Sequence, residues 1–189
     1  MLFALAVALL AGCSPPPAGD AQGYIEGEYV YLAAPLGGAL TNLAVARGDS
    51  VKAGQLVFEL ERQSEAAALV QAEKNLASAN ASLALAESVF QRRKELRENP
   101  SAIVSAEELD QAHAQRDSAA AEVAAQQAAL DKAKWALDQK QQFAPADATV
   151  HDTLYRRGEF VAAGNPVVVL LPPANIKVRF LCRRKSCRS

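Results

Sequence analysis

The chain has 189 residues, enough for one or two domains, and half of them are apolar, so a core can form. A formal charge of −1 gives no overall field that would gather nucleic acid or an acidic partner. Three cysteines (Cys13, Cys182, Cys187) and two distant histidines (His113, His151) offer no metal-ligand spacing, and no cofactor-binding motif is present.

The first 12 residues, Met1 to Gly12, are apolar but too few to span a bilayer, which takes about 20. They fit the apolar region of an export signal. The positive residues that usually precede it are absent, which points to a start further upstream. Leu10-Ala11-Gly12-Cys13 resembles the bacterial lipoprotein signal, and the resemblance implies that Cys13 is lipidated. The plainer alternative is a secretory signal with an incidental cysteine. Residues 14–22 hold three prolines and no periodicity, and read with Cys13 as a lipidated tether (13–22). Ser14, not aspartate, follows Cys13, which leaves open which membrane holds the lipid.

Tyr24 to Leu32 reads as one strand, broken by Pro35 and Gly37-Gly38. Leu40–Ala46 and Gln55–Leu60 read as strands, joined through the Arg47-Gly48-Asp49-Ser50 turn. This unit recurs at a spacing of 110. Ala34-Pro35, Arg47-Gly48, Val51, Ala53-Gly54, Val57 and Leu60 return as Ala144-Pro145, Arg157-Gly158, Val161, Ala163-Gly164, Val167 and Leu170, nine identities in 27 residues. In the second copy Thr149–Tyr155 and Pro166–Leu171 are the strands. Neither copy can bury a core alone, but two copies packed face to face can.

Between the copies, Glu61 to Gln142 contains no glycine and one proline, Pro100. Good helix formers dominate. Leu69, Leu76, Leu83 and Phe90 are seven apart, with Ala72, Ala79 and Ala86 three residues on. Leu109, Arg116, Val123, Leu130 and Leu137 repeat the pattern, with Ala112, Ala119 and Ala133. This predicts an antiparallel coiled coil with helices at about 63–98 and 105–142, each roughly 54 Å long at 1.5 Å per residue. Pro100 stops the first helix, and Ser105-x-x-Glu108 starts the second as a capping box. Trp135 and Phe143 are expected in the packing at the hairpin's root. Arg92, Arg93, Lys94 and Arg97 make the tip basic, and cations at a helix C-terminus need no function to explain them.

Ala34-Pro35-x2-Gly38 with Arg47-Gly48-Asp49-x-Val51-Lys52-Ala53-Gly54, and Ala144-Pro145 with Arg157-Gly158-Glu159-x-Val161-x2-Gly164, resemble the two halves of a biotinyl/lipoyl-type domain. A lipoyl domain split by a helical hairpin is similar to the membrane fusion proteins, the periplasmic adaptors of the HlyD family, from about Gly23 to Arg179. The implied fold is α+β: a β-sandwich of lipoyl type (barrel-sandwich hybrid) with a long antiparallel coiled-coil α-hairpin between its halves. The implied organisation is a signal peptide (1–12), tether (13–22), lipoyl-like half 1 (23–60), hairpin (61–142), lipoyl-like half 2 (143–173), and a β-barrel strand with a basic tail (174–189).

The resemblance further implies a periplasmic adaptor in a Gram-negative envelope. Its partners would be an inner-membrane exporter, with ABC-type favoured by Tyr24–Leu32, an outer-membrane TolC-like channel, and further copies in a ring. Six copies is the number to test. In such adaptors an Arg-x3-Leu pattern followed by a serine docks on the channel. Arg92 and Leu96 match that spacing, and Ser105 comes about two residues late. Val104-Ser105-x2-Glu108-Leu109-Asp110-x-Ala112 also resembles the family's return helix.

Two other readings stand beside this one. An envelope coiled-coil scaffold would share the hairpin but not the repeat. A biotin or lipoyl carrier needs a modified lysine where the halves join, and the hairpin fills that place; Lys52 lies in a different turn. Catalysis has little support: His113 is read as a surface residue, and His151 and Asp152 are strand neighbours that face opposite ways.

Ala174–Phe180 alternates as a strand, and five of the 20 basic residues fall in the last 11 positions. One reading of that tail is an anionic-surface binder. The preferred one is a truncated gene product, because a barrel strand with no partners leaves an exposed edge.

Overall fold

A computed structural model describes residues 22–98 and 105–181. Cys13, Pro100 and the Cys182/Cys187 tail lie outside the described residues, as do the expectations placed on them. The strands are β1 (Gln22–Gly27), β2 (Val30–Ala33), β3 (Gly38–Leu43), β4 (Ser50–Val51) and β5 (Leu56–Leu60). Two helices follow, α1 (Gln63–Glu98) and α2 (Ala106–Asp138). Then come β6 (Gln141–Phe143), β7 (Ala148–Thr153), β8 (Phe160–Val161), β9 (Pro166–Leu171), a 3₁₀ turn (Pro173–Asn175) and β10 (Ile176–Leu181).

Two four-stranded sheets make the sandwich, in the orders β2-β9-β7-β4 and β6-β5-β3-β8. A shift of 110 residues carries β3, β4 and β5 onto β7, β8 and β9, and β2 onto β6. It therefore carries one sheet onto the other. The two copies were expected to pack face to face; instead each sheet interleaves strands of both, so neither copy closes a sheet by itself. The turns explain why. Gly48 N–H donates to Val150 O at 2.8 Å, and Gly158 N–H donates to Leu40 O at 2.8 Å. Gly54 N–H reaches Ala144 O at 2.8 Å, and Gly164 N–H reaches Ala34 O at 2.9 Å. Each copy's turn thus satisfies a carbonyl of the other. Gly48 and Gly158 both have φ of +93°, where a side chain is strained, so glycine stands at both.

The core obeys the same symmetry. Leu40/Val150, Val51/Val161, Val57/Val167, Phe58/Val168 and Leu60/Leu170 are buried in one cluster. Burial is the chief driving force, at about 25 cal/mol per Å² of apolar surface.

In the hairpin the buried positions are Ala72, Ala79 and Ala86 of α1 and Ala112, Ala119 and Leu130 of α2. The larger seam residues Leu69, Leu76, Leu83 and Phe90 are half-buried around them. Small side chains bring the backbones close, and the leucines cover the gap from the flanks. Helices of 36 and 33 residues extend about 50 Å. Two expectations fail at the root. The second helix ends at Asp138, not 142, because Gln141–Phe143 pairs with β5 and satisfies the sheet edge. Trp135 and Phe143 are about half exposed, at 51% and 48%, outside the packing there. Alanines and Leu130 already fill the seam.

Tyr24–Leu32 is two strands, not one. β2 joins the sandwich beside β9, while β1 leaves it and pairs antiparallel with β10. The strand read as lacking partners therefore has one: Ile25 lies opposite Val178, and Gly23 opposite Phe180. Alternation sorts the ribbon's faces. Ile25, Ile176, Val178 and Phe180 share an exposed apolar face, while Glu26–Arg179 (2.6 Å) is an ion pair on the other.

Candidate functional site

The hairpin tip is built from the last turns of α1 and the first turn of α2. Ser105 starts α2 because its hydroxyl accepts the Glu108 N–H at 3.1 Å. The Glu108 carboxylate accepts the Ser105 N–H at 3.0 Å in return. These are donors that a helix start otherwise leaves orphaned. The Ser105 N–H and, at 3.3 Å, the Ser105 hydroxyl both donate to the Glu108 carboxylate and hold it below its ordinary value, and Arg93, 3.5 Å away across the hairpin, adds less.

Two to three turns below, Arg116 takes a seam position where the pattern calls for an apolar residue. Its guanidinium lies 4.8 Å from the centre of the Phe90 ring on the facing helix, a cation–π contact that lets a charge sit at a half-buried position. It donates to Asp117 at 2.6 Å and approaches Glu87 of α1 at 3.9 Å. Its Nη2 also lies 3.2 Å from His113 Nε2. A guanidinium only donates, so Nε2 accepts, and Nδ1 carries the proton toward Asp117 at 3.1 Å. The hydrogen bond from Arg116 holds the Asp117 carboxyl below its ordinary value. This cluster couples the helices near the tip. The sequence carried one signal for it, an arginine in phase with the leucines.

Arg92 and Leu96 are one turn apart on α1 and so share one face. Both are exposed, Leu96 at 43%. Ser105 is exposed as well, but its hydroxyl is already engaged in the cap. The structure therefore presents Arg92 and Leu96 together on a solvent-facing stripe and gives Ser105 a structural task first.

Other candidates carry no chemistry together. His113 is exposed and bound into the Arg116 cluster, and His151 stacks on Tyr29 with ring centroids 4.4 Å apart. Among the described residues no group of three or more His, Cys, Asp or Glu is placed to hold a metal, and no helix is long and apolar enough to cross a membrane. Sequence reasoning missed Lys140. It is 4% exposed, the one buried charged side chain among the described residues, and it lies where the hairpin meets the sandwich.

Residues 68–140 match the family model described as RND MFP, alpha-helical hairpin domain. An uncharacterized protein of Escherichia coli K12, YdhJ, is 32% identical over 150 residues, which are 79% of this chain and 52% of the relative. The chain thus spans about half the length of that curated relative. A chimera of MacA and MexA carrying the Pseudomonas aeruginosa MexA α-hairpin superposes with a TM-score of 0.52 at 27% identity, over 80% of this chain and 50% of the chimera. The membrane fusion protein Spr0693 of Streptococcus pneumoniae R6 shares the fold, with a TM-score of 0.62 at 24% identity over 82% of this chain and 64% of that one.

Proposed function

We propose, from the premise that this chain belongs to the membrane fusion protein family, that it is a periplasmic adaptor joining an inner-membrane exporter to an outer-membrane channel for efflux or secretion. The observation that carries the reading is a sandwich split by a rod of about 50 Å. Its work is mechanical: copies pack side by side in a ring, hexameric as a first count, and the hairpins bundle into a conduit. Cys13 supplies the lipid anchor in the Gram-negative envelope. Arg92 and Leu96 meet a TolC-like channel, and Ser105 caps the start of α2. No catalytic residue, cofactor or metal enters this mechanism.

The carrier alternative weakens further. Lys140 is the lysine nearest the junction of the halves, and it is buried, out of reach of a modifying enzyme. The scaffold alternative leaves the interleaved sandwich without a purpose. For the exporter, the sequence favours an ABC-type pump through Tyr24–Leu32, which forms two strands with separate partners. The hairpin's match to a model named for RND adaptors supports an RND-type pump as the second reading.

Photo-crosslinkers placed at Arg92 and Leu96, with Thr149 of the sandwich as reference, test this in cells. The tip positions are expected to capture an outer-membrane channel, and Thr149 to capture none. The inner-membrane protein that copurifies with the tip adduct separates ABC from RND. Tip adducts confined to other copies of this chain would sink the docking claim.

A further inference from the structure

Each helix of the hairpin meets the sandwich through a short link: β5 ends at Leu60 and α1 starts at Gln63, while α2 ends at Asp138 and β6 starts at Gln141. The links are held side by side, since Leu60 N–H donates to Lys140 O at 2.8 Å. Two adjacent links define a line about which a rigid rod can rock. A contact off that line is needed to stop it.

Lys140 makes that contact. Its Nζ donates to the carbonyl of Gly37, in the loop between β2 and β3, at 2.7 Å. It also pairs with Glu65 in the first turn of α1 at 2.9 Å. One ammonium thus ties the sandwich, the first helix and the second link together. The pocket is shaped for it. A Cβ at Gly38 would lie 3.3 Å from Nζ, and one at Gly37 would press on Val161 O at 3.0 Å. Glu65 Oε2 is buried with no hydrogen-bond partner, so this carboxylate has Lys140 as its main compensation. Other polar contacts at the root, Arg62–Glu59 (3.0 Å), Gln141–Glu59 (3.3 Å) and the bond from Glu61 N–H in the first link to Ala39 O (2.8 Å), lie on or beside the hinge line. The arginine is half exposed, and pairs of that kind are weak.

The repeat shows that this is an addition to the plan. The counterparts of Gly37 and Gly38 are Asp147 and Ala148, and that of Lys140 is Val30. Asp147 accepts the Ala53 N–H through its side chain at 2.8 Å. At the equivalent place Gly37 has no side chain, and its carbonyl receives the ammonium instead.

We infer that Lys140 is the positioning residue that sets the direction of the hairpin, and that the Gly37–Lys140–Glu65 clamp makes rod and base one rigid lever. The inference rests on the geometry of the junction and holds whichever membrane partners the adaptor has.

Spin labels at Ala121→Cys on α2 and Thr149→Cys on the sandwich, in the full chain with its native cysteines changed to serine, report the angle as a distance distribution. The key variant is K140M/E65L. Exchange of a buried pair for apolar side chains of similar volume tends to leave stability unchanged, so it separates direction from folding. The distribution is expected to widen about twofold, as at a released hinge, with helicity and Tm held. E65Q, which keeps every volume, is expected to widen it too. An unchanged distribution in both variants overturns the inference. So does a lowered Tm in K140M/E65L with an unchanged distribution in E65Q, since the pair would then serve stability alone.

Discussion

The two copies of the repeat make nearly the same bonds 110 residues apart, yet the chain leaves them in different ways. Beyond β5 it enters the hairpin and returns to β6. At the symmetry-equivalent place the chain runs from β9 into β10, while β1 leads into β2, and β1 and β10 pair as a ribbon. The hairpin root is closed by a buried ammonium. The ribbon root is closed by exposed polar contacts: Asn175 Nδ2 to Glu28 O at 3.0 Å, and the Lys177–Glu28 ion pair. Solvent competes for the second set and not for the first. A symmetric base can therefore hold one arm stiffly and the other loosely, and the difference lies in a few side chains rather than in the topology.

The hardest test of the symmetry is in the core. Leu60 and Leu170 are equivalent, fully buried, and one strand in from the edge of their sheets. Leu60→Ala and Leu170→Ala should each lower unfolding free energy by about 3 kcal/mol in urea titrations. Equal losses are expected, because the interleaved sheets share one core. If Leu170→Ala cost far less than Leu60→Ala, the two sheets would melt separately, and the picture of one unit made from two interdependent copies would fail.

The turns give a smaller effect with the same logic. A Cβ at Gly48 or Gly158 would meet nothing within 4 Å, so Gly48→Ala and Gly158→Ala add only backbone strain at φ +93°. Each should cost about 1–2 kcal/mol, the penalty of left-handed backbone for an L-residue. Matched drops in Tm would uphold the equivalence of the turns. A neutral result at one of them would mean that its turn relaxes, and that its bond to the other copy is dispensable.

What the sequence made legible follows from what is periodic or repeated. Nine identities exposed the paired halves, and the seven-residue spacing of Leu69 to Phe90 exposed the seam. Ser105 and Glu108 announced a cap that forms as read. Strand pairing between copies was not legible, because the repeat tells which segments are alike and not which are neighbours. Tyr24–Leu32 read as one strand since propensity is blind to a chain that changes sheets near Glu28. Trp135 and Phe143 were placed inside on hydrophobicity alone, although an apolar residue off the seam can remain exposed. Lys140 was invisible because lysine is ordinarily a surface residue, and only three-dimensional proximity to Glu65 and Gly37 marks it as different. At the tip, the Arg92/Leu96 spacing was readable, whereas the engagement of Ser105 depended on the hydroxyl's actual direction.

The gentlest perturbation separates the tip from the base. Ser105→Ala removes one cap and should weaken the start of α2 by about 1 kcal/mol, read as faster hydrogen exchange at the Glu108 amide. The sandwich amides should not respond, being a rod's length away. The effect has a pH signature. Glu108 is depressed in the folded hairpin relative to its ordinary 4.5, chiefly by its bonds to Ser105. A carboxyl with a lowered folded value contributes its stabilisation above the unfolded value and loses it as pH falls through the folded one. Ser105→Ala keeps the backbone N–H and removes only the hydroxyl's bond to the carboxylate, so the gap between native chain and variant, after correction for intrinsic exchange, should be full above about pH 4.5 and shrink below it by that smaller share. Asp117, lowered by Arg116 rather than by the cap, should lose its own contribution below its ordinary 3.8 in both proteins alike. A gap that stayed constant through this range would mean that the Ser105 hydroxyl does not donate to the Glu108 carboxylate in solution. The hydroxyl would then act only as acceptor of the Glu108 N–H, and the carboxylate would be held by the Ser105 N–H and Arg93.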